Sequence, residues 1–428
     1  MCEHALNPAI FFDSLFFSMS HSISDPSTAI LHADVPTISW IEGGEMRSAL
    51  WRSERGTAAP KRVLLADDTL AADAAYQLAC EGTALLWRGD FQNARQLLQA
   101  LARRADKPPK TSRKKAAASA VVSTVPAQAF HLHRQAQAQR ARVLGMVLMP
   151  FDADYGVPLR RAPDVRLACT EAWGPAEGEQ ASVASLRELL GLISAHEWRK
   201  KGVEVSALGE APDNRIYPHY GVFSPVRGEY VSLVASAALP VTGQNPFTAF
   251  DIGTGTGVLA AVLARRVTRV VATDQNPRAL ACAADNLSRF DVGSRVELID
   301  ANLFPDGQAS LIVCNPPWLP ARPGSPIEGA VYDEGSQMLL GFLNGLATHL
   351  LPGGEGWLIL SDLAEHLGLR CRADLLDAIA AADLQVLGRV DTRPLHPKAL
   401  DDTDPLYQAR SREATSLWRL AARNAAPA

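Results

Sequence analysis

The C-terminal half of this 428-residue chain predicts an α/β fold built on a mainly parallel, Rossmann-like sheet. Three observations predict it. From residue 206 onward, short apolar segments alternate with segments of helical spacing. The first of these strands runs into a glycine-rich turn, Gly253-Thr254-Gly255-Thr256-Gly257, that opens a helix. The second strand ends on an acid, Asp274, and Pro277 then starts a helix, where its missing N–H costs nothing. Strands that are apolar along their length are buried on both faces, which requires helices on both sides of a parallel sheet.

In chain order, residues 1–36 are expected to be a flexible tail. The apolar run at 9–19 is interrupted by Asp13 and has no Lys or Arg ahead of it, so it lacks the form of a secretory signal, and Met19 is an alternative start. Residues 37–105 predict a small α/β unit with strands at 62–66 and 83–87, a helix at 70–82, and a helix from Phe91 whose apolar face is Ala94, Leu97, Leu98 and Leu101. Residues 106–128 read as a basic Pro/Ala linker, and the run from Arg103 to Lys115 is either a solvated tether or an arm that meets phosphate. Residues 129–205 predict a mixed, mainly helical segment with helices over 133–148 and 182–202.

The domain at 206–423 carries seven strands, at 248–252, 269–274, 295–299, 310–314, 356–361, 384–390 and 415–421. Helices are expected at 257–266, 277–290, 335–351 and 370–382. The last two strands are joined without a clear helix, which allows a closing antiparallel strand. The N-terminal half is thus α/β or mixed, and the C-terminal half is a seven-stranded, doubly covered sheet.

Composition narrows the function classes. A net charge of -4 argues against wholesale nucleic-acid binding, though not against a local basic patch. Six cysteines with no CxxC pair suggest a reducing, cytoplasmic setting. His131 and His133 lack a second ligand pair, so no metal site is expected. No stretch of about 20 apolar residues predicts a membrane span.

The glycine turn is the first functional signal. Glycines let the backbone turn tightly and come close to a ligand, and the following helix directs free N–H groups to the same spot. A dinucleotide fold requires a third glycine where this chain has Val258. The spacing here is G-x-G-x-G with Asp251 two residues ahead. That pattern resembles the S-adenosylmethionine loop of class I methyltransferases. The resemblance implies a cofactor set of Asp251, Gly253, Thr254, Gly255, Gly257, Asp274, Gln275, Asp300, Asn302 and Asn315, with Asp274 accepting from the ribose hydroxyls.

The second signal follows the fourth strand: Asn315-Pro316-Pro317-Trp318. Two prolines donate no hydrogen bonds and hold the backbone extended. They leave a main-chain carbonyl and the Asn315 side-chain oxygen as paired acceptors for an –NH2 group. Trp318 offers a flat face for a planar base or amide. The turn resembles the (N/D)-P-P-(Y/F/W) motif of amino-directed methyltransferases, a group that includes adenine and guanine amino enzymes and release-factor glutamine methyltransferases. The aromatic segment Arg215–Pro225 strengthens the likeness to the last of these.

The resemblance implies transfer of a methyl group to a planar nitrogen, with Asn315, Pro316 and Trp318 catalytic and Tyr217, Phe223 and Trp318 against the substrate. Two departures stand out. Asn302 replaces the usual Asp near the adenine, and Ser310 opens the fourth strand where relatives carry Asp. An exocyclic amine of ribosomal or transfer RNA is the leading substrate. The alternatives are a release-factor-type glutamine, a small molecule, or a cofactor-binding module without catalysis. Loops at 210–230, 319–334 and 391–414 are expected to rim the pocket, with Arg393, His396 and Lys398 opposed by Asp401, Asp402 and Asp404.

Overall fold

The computed structural model describes residues 36–107, 125–176, 178–226, 228–324, 326–394 and 401–423. The expected tail up to 35, most of the linker with Lys110, Arg113, Lys114 and Lys115, and the loop residues His396 and Lys398 lie outside the described residues. The chain divides into two compact units, one drawn mainly from 1–124 and 131–197, the other from 125–130 and nearly all of 198–428.

The first unit is a six-stranded sheet of β1 (Thr37–Glu42), β2 (Glu45–Trp51), β3 (Arg62–Ala66), β4 (Thr83–Trp87), β5 (Val147–Phe151) and β6 (Ser182–Ser185), in the order β1-β2-β6-β5-β4-β3. β3, β4 and β5 are parallel, β6 runs against β5, and β1 and β2 form a hairpin. Helices α1 (Ala72–Cys80), α2 (Phe91–Ala105), α3 (Pro126–Leu144), α4 (Arg166–Trp173) and α5 (Leu186–Lys201) join them.

Two helix expectations need correction. The helix expected over 133–148 ends at Leu144, and the apolar run VLMPF beyond Gly145 is β5, buried at every position. The helix expected from 182 starts at Leu186, because SVAS is β6. Both strands are short runs without alternation, and periodicity cannot separate such runs from an adjoining helix. Both pair into the sheet with the strands of 37–87.

The second unit holds the two-stranded β7 (Val203–Glu204) and β8 (Arg215–Ile216), and a seven-stranded sheet. The sheet strands are β9 (Thr248–Ile252), β10 (Arg269–Asp274), β11 (Val296–Asp300), β12 (Ala309–Cys314), β13 (Leu350–Ser361), β14 (Leu384–Thr392) and β15 (Thr415–Ala422). Their order is β11-β10-β9-β12-β13-β15-β14, and β15 alone runs antiparallel to its neighbours, which is the closing strand allowed for above. The helices are α6 (Glu229–Ser236), α7 (Val258–Ala264), α8 (Pro277–Arg289), α9 (Gln337–His349), α10 (Leu363–His366), α11 (Arg372–Ala381) and α12 (Tyr407–Arg410).

Alternate strand residues feed two cores. Ala249, Leu311 and Val313 face α6, α7 and α8, while Phe250, Ile252 and Ile312 face α9 and α11. This is why the strands read as unbroken apolar runs. The strand order reverses between β9 and β12, and in open α/β sheets the carboxyl ends at such a reversal form the ligand crevice. Among the described residues no helix is long and apolar enough to cross a membrane.

Candidate cofactor and methyl-transfer site

Register places the two sequence motifs side by side. Ile252 pairs with Thr273 on β10 and with Cys314 on β12. The next residues, Asp274, Gly253 and Asn315, therefore leave three neighbouring strands at one level, and Asp300 extends the row through its pairing with Asp274. Adjacent strands lie about 4.8 Å apart. The glycine turn and the Asn-Pro-Pro-Trp turn thus border the same crevice.

The glycine turn is held by main-chain hydrogen bonds of its own. Gly253 and Thr254 donate their N–H groups to Thr273 O at 2.9 and 2.8 Å, and Gly257 N–H closes the turn on Thr254 O at 2.9 Å. Gly255 and Gly257 hold φ of +55° and +78°, a region in which side chains with a Cβ are disfavoured. A Cβ on Gly257 would stand 3.1 Å from Ala283 Cα on α8. A Cβ on Gly255 would meet nothing within 4 Å, so that glycine faces open space.

Two acids organise the turn. Asp251 is buried, and burial pushes its carboxyl up to about 6, opposed by the Thr254 hydroxyl, which donates at 2.7 Å, and by the Ala260 N–H. It braces the turn from inside. Asp274, at the strand end, accepts Gly255 N–H at 3.0 Å and Asn276 N–H at 2.9 Å, one on each carboxylate oxygen. Each oxygen keeps lone-pair capacity for a further donor. The cap of α8 is Asn276, whose side chain accepts Arg278 N–H. Gln275, Asp300 and Asn302 are exposed along the same rim.

At the second turn, the Trp318 indole N–H donates to Asn315 Oδ1 at 2.9 Å. Trp318 also packs against both cores, so its ring is partly committed to the fold. The bond orients the Asn315 amide and leaves its oxygen one lone pair for another donor. Pro316 is buried. The chain beyond folds back on itself: Asp333 N–H donates to Leu319 O at 2.9 Å, and Asp333 Oδ2 accepts Met338 N–H at the start of α9.

The aromatic segment lies along α8. Tyr217 N–H donates to Asn286 Oδ1 at 2.8 Å, and Arg289 stands over the Tyr217 ring at 4.5 Å. The Tyr217 carbonyl accepts from the same Asn286 amide at 3.4 Å, so the main chain at Tyr217 lies against the middle of α8. Through Asn286 its main chain reaches the glycine turn, while its ring lies under Arg289. Tyr220 sits under Arg278, in the first turn of α8, and Phe223 is half-buried. Sequence reading missed Asn286, which also donates to Thr256 O at 3.0 Å and so ties the segment to the glycine turn. An Asn on the apolar face of α8, beside Cys282, Ala283 and Leu287, was the available signal.

The strand order, the glycine turn, the acid at the end of β10 and the turn after β12 are arranged as the resemblance to class I S-adenosylmethionine-dependent methyltransferases implies. Within that class, residues 213–366 match the family model of the methyltransferase small domain. The chain is 33% identical over 166 residues to a release factor glutamine methyltransferase of Cereibacter sphaeroides, covering 35% of this chain and 58% of that protein. It is 30% identical over 138 residues to a tRNA1(Val) (adenine(37)-N6)-methyltransferase of Cytophaga hutchinsonii, covering 30% of this chain and 58% of that protein. The chain thus spans little more than half the length of these curated relatives. A solved methyltransferase structure from Pyrococcus furiosus overlaps 54% of this chain and 98% of its own, at 16% identity and a TM-score of 0.37.

Proposed function

We propose that this protein is a cytoplasmic S-adenosylmethionine-dependent N-methyltransferase acting on a planar amino nitrogen, with an exocyclic amine of ribosomal or transfer RNA as its substrate. The observation that carries the reading is the pairing of Ile252 with Cys314, which sets Gly253 beside Asn315 across one crevice. The residues present fit the cofactor: the space over Gly255 is open, and the Asp274 carboxylate stands beside it with acceptor capacity to spare for ribose hydroxyls. When bound, the cofactor supplies a sulfonium methyl that is already electrophilic, so no covalent protein nucleophile is required.

The protein's task is to present the nitrogen. An –NH2 on a conjugated system is a poor nucleophile because its lone pair is delocalised. Asn315 Oδ1 and the adjoining proline carbonyl accept its two hydrogens and favour a pyramidal nitrogen with a localised lone pair. Trp318 fixes the Asn315 oxygen for that purpose through its indole N–H. Holding the amine at one place and angle is itself a large part of the acceleration.

The tRNA adenine and the release-factor glutamine for which two relatives are named both bear such a nitrogen, which supports amino chemistry in common. A glutamine substrate is the second reading, favoured by several release factor glutamine methyltransferases among the relatives. A tritiated-methyl assay on cell extract, divided into RNA, protein and small-molecule fractions, separates these. Label in the RNA fraction supports the first reading, and label confined to protein replaces it with the second. Asn315→Ala is expected to abolish transfer while leaving cofactor affinity nearly unchanged. Undiminished transfer would remove Asn315 from the mechanism.

A further inference from the structure

Arg370 sits in the turn between α10 and α11, beyond the carboxyl end of β13. That is the same edge of the sheet from which Asn315 emerges, because β12 and β13 are parallel neighbours. The turn is tight: Gly368 N–H donates to Glu365 O at 2.9 Å and Leu369 N–H to Ala364 O at 2.8 Å. The residue is half-buried, yet its Nε and Nη2 are shut off from solvent with no hydrogen-bond partner. Burial pulls its pKa down, against the fields of Glu365, Asp374 and Asp333.

Each of those acids is committed elsewhere. Glu365 takes Arg372 at 2.7 Å, Asp374 accepts Cys371 N–H at 2.8 Å, and Asp333 Oδ2 accepts Met338 and Leu339 N–H groups. Guanidinium N–H groups closed off from water without an acceptor are costly, so Nε and Nη2 give up no hydrogen bond when they turn toward an acceptor that arrives from outside. Nε and Nη2 form the edge of the fork whose parallel N–H bonds meet two oxygens of one anionic group. Asp333 belongs to the loop that follows the Asn-Pro-Pro-Trp turn, which places Arg370 at the rim of the crevice.

We propose that Arg370 binds a backbone phosphate of an RNA substrate beside the methyl-transfer crevice. The inference rests on the reading that this unit methylates an RNA amine. It is favoured over a protein carboxylate because Arg393, directly after β14, and Arg412, three residues before β15, also have no ion-pair partner among the described residues. Both lie on loops of the same edge, since β14 runs with β13 and β15 runs against it. Unpaired guanidiniums on successive loops suit a ligand whose negative charges repeat along a strand. Asp402, exposed on the same edge, acts against them.

The test uses the full chain as wild type, Arg370→Gln and Arg370→Lys. Binding of labelled single-stranded RNA and of bulk tRNA is followed by fluorescence anisotropy between about 50 and 200 mM salt, where affinity for phosphate falls steeply. Arg370→Gln should bind about tenfold more weakly at the low end, with a salt slope flatter by about 0.7, the value for one phosphate on a single strand. Arg370→Lys should keep most of the slope. S-adenosylmethionine affinity should hold in both, and the melting temperature of Arg370→Gln should be unchanged or higher, because a structural role predicts the opposite. An unchanged slope in Arg370→Gln, or a lowered melting temperature with lost cofactor binding, overturns the inference. If the wild type methylates RNA and Arg370→Gln does so equally well at every salt concentration, this inference alone falls. If the wild type neither binds nor methylates RNA, the RNA reading of the function falls with it.

Discussion

Gly255 and Gly257 are two residues apart in one turn, yet the structure separates their roles into ligand binding and folding. Replacing either with Ala puts a Cβ on a residue at positive φ, which costs about 1–2 kcal/mol. At Gly257 the new methyl also meets Ala283 Cα at 3.1 Å, on the backbone of α8, where no flexible side chain can give way. Overpacking of that kind adds about 1–3 kcal/mol. At Gly255 the methyl meets nothing and projects into the space assigned to the cofactor. Gly257→Ala should therefore unfold at a lower temperature than Gly255→Ala, by about 2–4 °C for each kcal/mol of difference in a unit of this size. Gly255→Ala should remain folded and lose cofactor affinity at least about tenfold, or about 1.4 kcal/mol. Scanning calorimetry and titration calorimetry with S-adenosylmethionine on the full chain read the two effects separately. If Gly255→Ala melted at or below Gly257→Ala, or bound the cofactor as wild type does, the division of roles would be refuted.

Two further outcomes follow from the same residues. Trp318→Phe keeps a ring in place but deletes the N–H that holds Asn315, and one hydrogen bond is worth about 0.5–1.5 kcal/mol, so turnover should fall by up to about tenfold with cofactor affinity unchanged; equal turnover would return Trp318 to a purely packing role. Asp251, pushed up to about 6 from 3.8, holds a proton in the folded state that the unfolded chain has already released between those values. Its contribution to stability therefore falls as pH rises through that window, by roughly 3 kcal/mol in all. Stability measured against Asp251→Asn from pH 4 to 7 should show wild type losing ground as pH rises, and parallel curves would contradict the assignment.

The C-terminal sheet was legible because its strands are apolar runs bounded by turn residues, and every expected strand is present, with ends shifted by a residue or two except at β13. That strand begins at Leu350, six residues before the expected Gly356, across a register irregularity that no apolar pattern marks. The N-terminal unit was less legible. β1 and β2 were not expected from the sequence, although Gly43-Gly44, whose φ values are +62° and +83°, suits a two-residue hairpin turn. β5 and β6 carry no such signal, because each abuts a helix and lacks alternation. At the site, the strand-end row followed from motif order and strand parity. The Trp318 bond to Asn315 and the isolation of Arg370 depend on which partners tertiary structure supplies or withholds. A sequence lists donors and acceptors but not their pairing.

The glycine turn is held by the chain's own hydrogen bonds, and that has an energetic consequence. Gly255 N–H is already held by Asp274, Gly253 and Thr254 are already held by Thr273 O, and Thr254 is fastened to Asp251 from beneath. A cofactor entering such a turn does not bear the cost of ordering it, so more of its contact energy appears as affinity. The folded protein carries that cost instead, as three glycines held at positive φ and a carboxylate confined among apolar strands. Asp251 is the member that could be neutralised to recover stability. Its pKa, raised by burial and lowered again by the Thr254 hydroxyl, shows that its hydrogen bonds only partly offset its desolvation. A neutral residue at 251 should therefore relieve the fold and loosen the turn together, because the carboxylate that burdens the core is also the anchor for Thr254.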